Sequence, residues 1–174
     1  MIGELPDPRL ERGAADIALA RFDTPDVTDR QFCFWRERLK GLLQVGAAGF
    51  RFLNPGRVPV SFWHALSEDL RHAFPAVQLL AFTPGMVWTD IEALTAAQFD
   101  GVFSSLPWWD RRAGWFTEER NLLRRVGSVI ACPEAPFSPR LISRLAPGDD
   151  IAAAYRQALD IAAATGDCLM LPMG

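Results

Sequence analysis

Short runs of nearly continuous apolar residues alternate along this chain with longer segments in which apolar positions recur every three or four residues. The short runs predict strands at Phe50-Arg51-Phe52-Leu53, Val77 to Phe82, Gly101-Val102-Phe103-Ser104, Ser128 to Cys132 and Cys168 to Leu171. Asp16 to Phe22 is a weaker candidate ahead of them. The helical period is carried by Phe32, Trp35, Leu39 and Leu42, with Thr28 and Gln31 spaced as a capping box. It returns at Phe62, Leu66 and Leu70, in a short helix capped by Thr89, and from Trp115 to Leu123. A short helix opened by Pro139 and a longer one capped by Asp149, carrying Ile151, Tyr155, Leu159 and Ala162, complete the pattern.

Strands that are apolar throughout, each followed by a helix, belong to a parallel sheet covered by helices. The fold class is therefore α/β. Two architectures remain open: a partial (β/α)8 barrel and a small doubly wound sheet. A full barrel takes roughly 250 residues, and this chain has 174 residues with five or six strand candidates. Residues 1–15 are rich in proline, glycine and charge and read as a flexible lead-in to a domain over 16–174.

With 49% hydrophobic residues, the chain has ample material for a core, and this excludes disorder. The net charge of −3 predicts no nucleic-acid partner, and no apolar run reaches transmembrane length. Cys33, Cys132 and Cys168 are odd in number and far apart, which points to reduced thiols and a cytoplasmic location. No metal or cofactor is expected. His64 and His72 stand eight apart on one helix without further ligands, so solvent-facing histidines are the expectation.

Function in such folds sits on the loops after the carboxyl ends of the strands. Here those loops contain no glycine-rich phosphate motif and no nucleophile elbow. Trp108-Trp109-Asp110-Arg111 is the densest cluster: its indoles could stack on sugar rings, or one could pack beneath the loop. Glu134, directly after a strand, is the best-placed lone carboxylate, for which an arginine-paired role is the alternative.

The string Gly46-Ala47-Ala48-Gly49-Phe50-Arg51, followed by Asn54-Pro55, Val58-Pro59-Val60 and Phe62-Trp63, resembles the fourth-strand region of the α-amylase clan of glycoside hydrolases. It is nearest the bacterial members that transfer maltosyl units onto α-1,4-glucan. Ser104-Ser105, Trp108-Trp109-Asp110 with Arg112, Pro133-Glu134 and Arg140-Leu141 match the same group in the same order. Leu169-Met170-Leu171-Pro172-Met173-Gly174 resembles its eighth strand. The resemblance covers about residues 15–174 and implies a barrel portion running from strand three or four to strand eight.

It also implies where catalytic carboxylates belong. The nucleophile position is Leu53, the acid/base position is Phe82 (Leu80 in a shifted register), and the stabilising position is Phe137. Retaining transfer needs two carboxylates about 5–5.5 Å apart, and leucine and phenylalanine supply none. The resemblance therefore implies an inactive maltosyltransferase-like domain with a structural, regulatory or weak glucan-binding role. Arg51, Asn54, Trp108, Trp109, Asp110 and Glu134 are its residual sugar-binding candidates, and α-glucan or maltooligosaccharide its ligand. A fragment of a larger or split glycosyltransferase, and an enzyme of different chemistry on Glu134, are the alternatives. A partial barrel has open edges, so self-association or a partner chain is expected there. The three replaced positions are expected to close the former cleft as a buried apolar cluster.

Overall fold

Thr24 opens the first helix. Its hydroxyl accepts the Val27 amide at 3.4 Å, and Pro25 takes an early helical position where its missing N–H is no loss. The helix thus starts ahead of the predicted cap, and Thr28 instead donates its hydroxyl to the Thr24 carbonyl (3.0 Å). The computed structural model describes residue 5 and residues 7–9, 20–136 and 138–172. The weak strand candidate at Asp16 to Phe22 and the lead-in fall largely outside these.

Helices and strands alternate strictly: α1 (Pro25–Gln44), β1 (Gly49–Leu53), α2 (Val60–Ala73), β2 (Gln78–Phe82), α3 (Trp88–Ala93), β3 (Gly101–Phe103), α4 (Trp115–Val126), β4 (Ser128–Ala131), α5 (Ile151–Thr165) and β5 (Cys168–Leu169). Three further sequence expectations shift: Val87 rather than Thr89 stands at the cap of α3, with Thr89 inside the helix. The helix after Pro139 is a 3-10 turn at Leu141–Arg144, and Asp150 rather than Asp149 caps α5, accepting the Ala153 amide at 3.0 Å. None of the described helices is long and apolar enough to cross a membrane.

The sheet is parallel throughout and its strands lie in chain order, β1-β2-β3-β4-β5, from Leu53 beside Phe82 to Ala131 beside Leu169. A doubly wound sheet reverses its order at a switch point; this one never does. Crossovers of one hand in an unreversed order place every helix on the same face. The side chains divide accordingly. Leu79, Ala81, Val102 and Val129 enter the helical layer with Leu39, Leu43, Phe62, Trp63, Leu66 and Leu70. Phe103, Ile130 and Cys132 form a separate cluster with Leu80, Phe82 and Met170.

That second face is curved. Arg51 on β1 donates to Met170 Sδ, just past β5, at 3.5 Å, and its guanidinium lies 5.7 Å from the centre of the Phe103 ring. Four strand spacings of about 4.8 Å would separate the outer strands of a flat sheet by roughly 19 Å, well beyond one arginine side chain. The sheet therefore curls around its own inner face, as part of a barrel wall does, and it does not close. Gly101 makes room at the inside of the bend, where a Cβ would come within 2.8 Å of Ile130 Cδ1.

Along α1 the packed stripe is Phe32, Leu39 and Leu43. The predicted face included Trp35 and Leu42, but these lie about 60° around the helix from that stripe and remain 38% and 43% exposed. Packing against α2 selects the stripe. With Phe34 and Val45, they leave an apolar margin on the β1 side of the sheet, while Leu169 and Leu171 are exposed at the β5 margin.

The expectation of a buried cluster at the replaced positions needs correction at Leu53. Phe82 is half-buried against Phe103 (ring centres 5.4 Å apart), but Leu53 ends an edge strand and is 56% exposed. Phe137 lies outside the described residues. Truncation should separate the two environments in urea unfolding. Phe103→Ala should cost about 3–5 kcal/mol, whereas Leu53→Ala should stay within about 1 kcal/mol.

Candidate functional site

The loop after β3 is shaped by its own polar groups. Asp110 accepts the backbone amides of Arg112 (2.9 Å) and Ala113 (2.8 Å), which hold its carboxyl below the usual carboxylate range. The same turn places Arg111 in the left-handed region, φ 65°. Trp109 folds inward, its indole stacked on Phe116 at 4.5 Å and its N–H donated to the Ala113 carbonyl at 2.8 Å. Trp108, its neighbour, stays half-buried.

Trp108, Trp109 and Asp110 line a cleft of about 940 Å³. It runs from Gly85, Met86 and Trp88, after β2, past the 105–111 loop to Trp115 and Glu119 on α4 and Ala158 and Ile161 on α5. Arg9 and Asp7 at one side and Arg144 at another add charge to its walls. Arg9 holds Asp7 down to about 2 through paired hydrogen bonds.

The remaining sugar-binding candidates are elsewhere. Arg51 spans the concave face. Asn54 occupies a left-handed turn after β1 (φ 51°) and is exposed. Glu134 is only 3% exposed: Oε1 meets Arg140 at 2.6 Å, while Oε2 accepts the Leu141 amide at 2.7 Å and the Tyr155 hydroxyl at 3.4 Å. Arg140 also donates to the Pro172 carbonyl at 3.0 Å, so this carboxylate fastens the β4–α5 loop to the chain after β5. Of the two histidines, His64 meets the Gln98 side chain at 3.3 Å. No cluster of metal-ligating side chains occurs among the described residues.

One cleft residue carries no weight in the sequence reading. Glu119 lies on the inward stripe of α4 with Phe116, Leu123 and Val126, and is 5% exposed. Its Oε2 accepts the Ser105 amide at 3.0 Å, and it makes no ion pair among the described residues. Burial pushes its carboxyl above the ordinary range, opposed only in part by the Ser105 hydrogen bonds. The signal was a carboxylate at a position where the helical period asks for an apolar residue.

A raised native pKa makes ionised Glu119 a liability. Its penalty is complete above the raised value and gone below the ordinary carboxylate range, where folded and unfolded forms are both protonated. Glu119→Gln keeps an acceptor for Ser105 and removes the charge. The variant should exceed the wild type in urea stability at pH 7, and the gap should close by about pH 4. A wild type more stable than the variant at pH 7 would show that the carboxylate is well compensated.

No family model matches the chain. Over 172 residues it is 43% identical to an alpha-1,4-glucan:maltose-1-phosphate maltosyltransferase of Burkholderia pseudomallei (strain K96243), a match covering 98% of this chain and 15% of that protein. Together with the unreversed, curled α/β sheet, this makes the chain a relative of an α-amylase-clan maltosyltransferase, spanning a stretch equal to 15% of that protein's length.

Proposed function

We propose that the chain is a non-catalytic, α-glucan-associated barrel segment that holds maltooligosaccharide in the cleft beside Trp108. The observation that carries this reading is the pairing of a maltosyltransferase relative with strand ends that carry Leu53 and Phe82. Neither side chain can attack a sugar carbon or protonate a leaving oxygen. Binding needs no such group, because an indole face packs against sugar C–H groups while polar neighbours take the hydroxyls. Trp108 is the residue proposed to do this, since it lines the cleft from the loop after β3 and is half-buried there.

A second reading is favoured by the 15% coverage: the chain functions as one part of a longer or split maltosyltransferase. The apolar margins at Trp35, Leu42 and Val45 and at Leu169 and Leu171 support self-association or pairing with another polypeptide across the open edges. Chemistry centred on Glu134 has less support, because both of its oxygens are occupied within the loop. A cytoplasmic location fits three cysteines that are all free thiols.

The chain should neither hydrolyse nor transfer from maltose, maltodextrin or maltosyl phosphate above background. Turnover that vanished with Glu134→Gln would reverse this reading. In calorimetry, Trp108→Ala should weaken maltoheptaose binding by roughly tenfold, about 1.4 kcal/mol. Light scattering at high concentration should detect association.

A further inference from the structure

Glu119 presents a physical contradiction. α4 buries its inward stripe through Phe116, Leu123 and Val126, and a leucine or glutamine at 119 would continue that stripe without a charge. The chain instead keeps a desolvated carboxyl there, in the wall of a large cleft, with no cation paired to it among the described residues. A carboxylate offers about four acceptor positions, and among the described residues only Ser105 donates to it, through its amide and its hydroxyl. An expensive acid beside open volume is the arrangement that marks a working group rather than a structural one. Glu134 makes the contrast, since its oxygens are filled from within the fold.

We propose that Glu119 is the ligand-recognising carboxyl of this cleft, accepting hydrogen bonds from the hydroxyls of a bound neutral sugar chain. The proposal rests on the reading of the cleft as a maltooligosaccharide site and names the group that gives it polar specificity. Trp115 lies one helical turn before Glu119 and lines the same cleft, so an indole and an acceptor sit together, as a ring with one apolar face and equatorial hydroxyls requires. Arg9, Arg111 and Arg144 stand against Asp7, Asp110 and Glu119 around the cleft, three formal charges of each sign, so its walls carry no net preference for a cation or an anion and suit a neutral polyol.

The acid's protonation then sets the affinity. Ionised Glu119 accepts from ligand hydroxyls; protonated, it loses part of that capacity. The other acids facing the cleft do not compete in the same range. Asp7 is held down to about 2 by Arg9, and Asp110 is held low by the Ala113 and Arg112 amides. Arg144, pulled down by burial and supported by Glu134, and Arg9, raised by its hydrogen bonds to Asp7, both titrate on the basic side. Binding should therefore weaken as pH falls through the raised Glu119 value.

The test is calorimetric titration of the full chain with maltoheptaose from pH 8 to pH 4, for wild type, Glu119→Gln and Trp108→Ala, with near-ultraviolet circular dichroism to verify folding. The wild type should lose affinity severalfold on acidification. Glu119→Gln should bind about tenfold more weakly at pH 8 and show a flat profile. If Glu119→Gln binds as tightly as wild type with the same pH profile, while Trp108→Ala weakens binding, the role of Glu119 is overturned and the cleft reading stands. If folded wild type binds no maltoheptaose at any pH, both are overturned. Tetramethylammonium bound in preference to maltoheptaose would overturn the neutral-polyol assignment.

Discussion

The reach of Arg51 from the first strand to Met170 beyond the last governs the rest of the architecture. Five parallel strands in chain order with helices on one face leave the other face bare, and a bare apolar face is unstable in water. Curling brings the two margins of that face toward each other until a single arginine spans them. Its aliphatic stem and guanidinium then roof Phe103, which is 1% exposed, together with the Ile130 and Cys132 beside it. The result is a concave core built from side chains that line the interior in a closed barrel. Arg51, a sugar-binding candidate by its sequence position, thus sits in the packing of that face.

The two buried glutamates show how the same residue type serves opposite ends. Glu134 gathers Arg140, the Leu141 amide and Tyr155, so its charge is fully answered by the loop it organises. Glu119 is met by Ser105 alone among the described residues, through amide and hydroxyl, and lines an open cleft. Both follow from the loops after β3 and β4, where the chain must leave the sheet and turn onto a helix. Trp115 and Glu119 of α4 and Ala158 and Ile161 of α5 line one cleft, whose walls combine indoles from one loop with an acid from the next helix.

Much of this was legible in the sequence, and for physical reasons. Strand positions follow from uninterrupted apolar runs, because parallel strands are buried on both faces; β1 and β2 match the expected segments closely. Boundaries that depend on competing caps were less legible: Thr24 with Pro25 outcompeted Thr28, and Asp150 outcompeted Asp149. Which side of α1 is buried depends on α2, a tertiary fact that the period alone leaves open by one position. The exposure of Leu53 likewise depends on β1 being an edge, a property of strand order. Trp108, Trp109 and Asp110 were visible as a dense cluster, whereas Glu119 was hidden within an otherwise regular helix.

The curl also grades the chemistry of the three thiols. Cys33 and Cys168 are exposed, the first on α1 and the second on β5 at the opposite margin of the sheet. Cys132 lies under the arginine roof, and burial pushes its thiol up to about 11, with Arg51 pulling the other way. At pH 8 only about one such thiol in a thousand is ionised, and the thiolate is the form that reacts. Alkylation of Cys132 therefore reports the lifting of that roof, which gives the molecule an internal gauge of its own curvature.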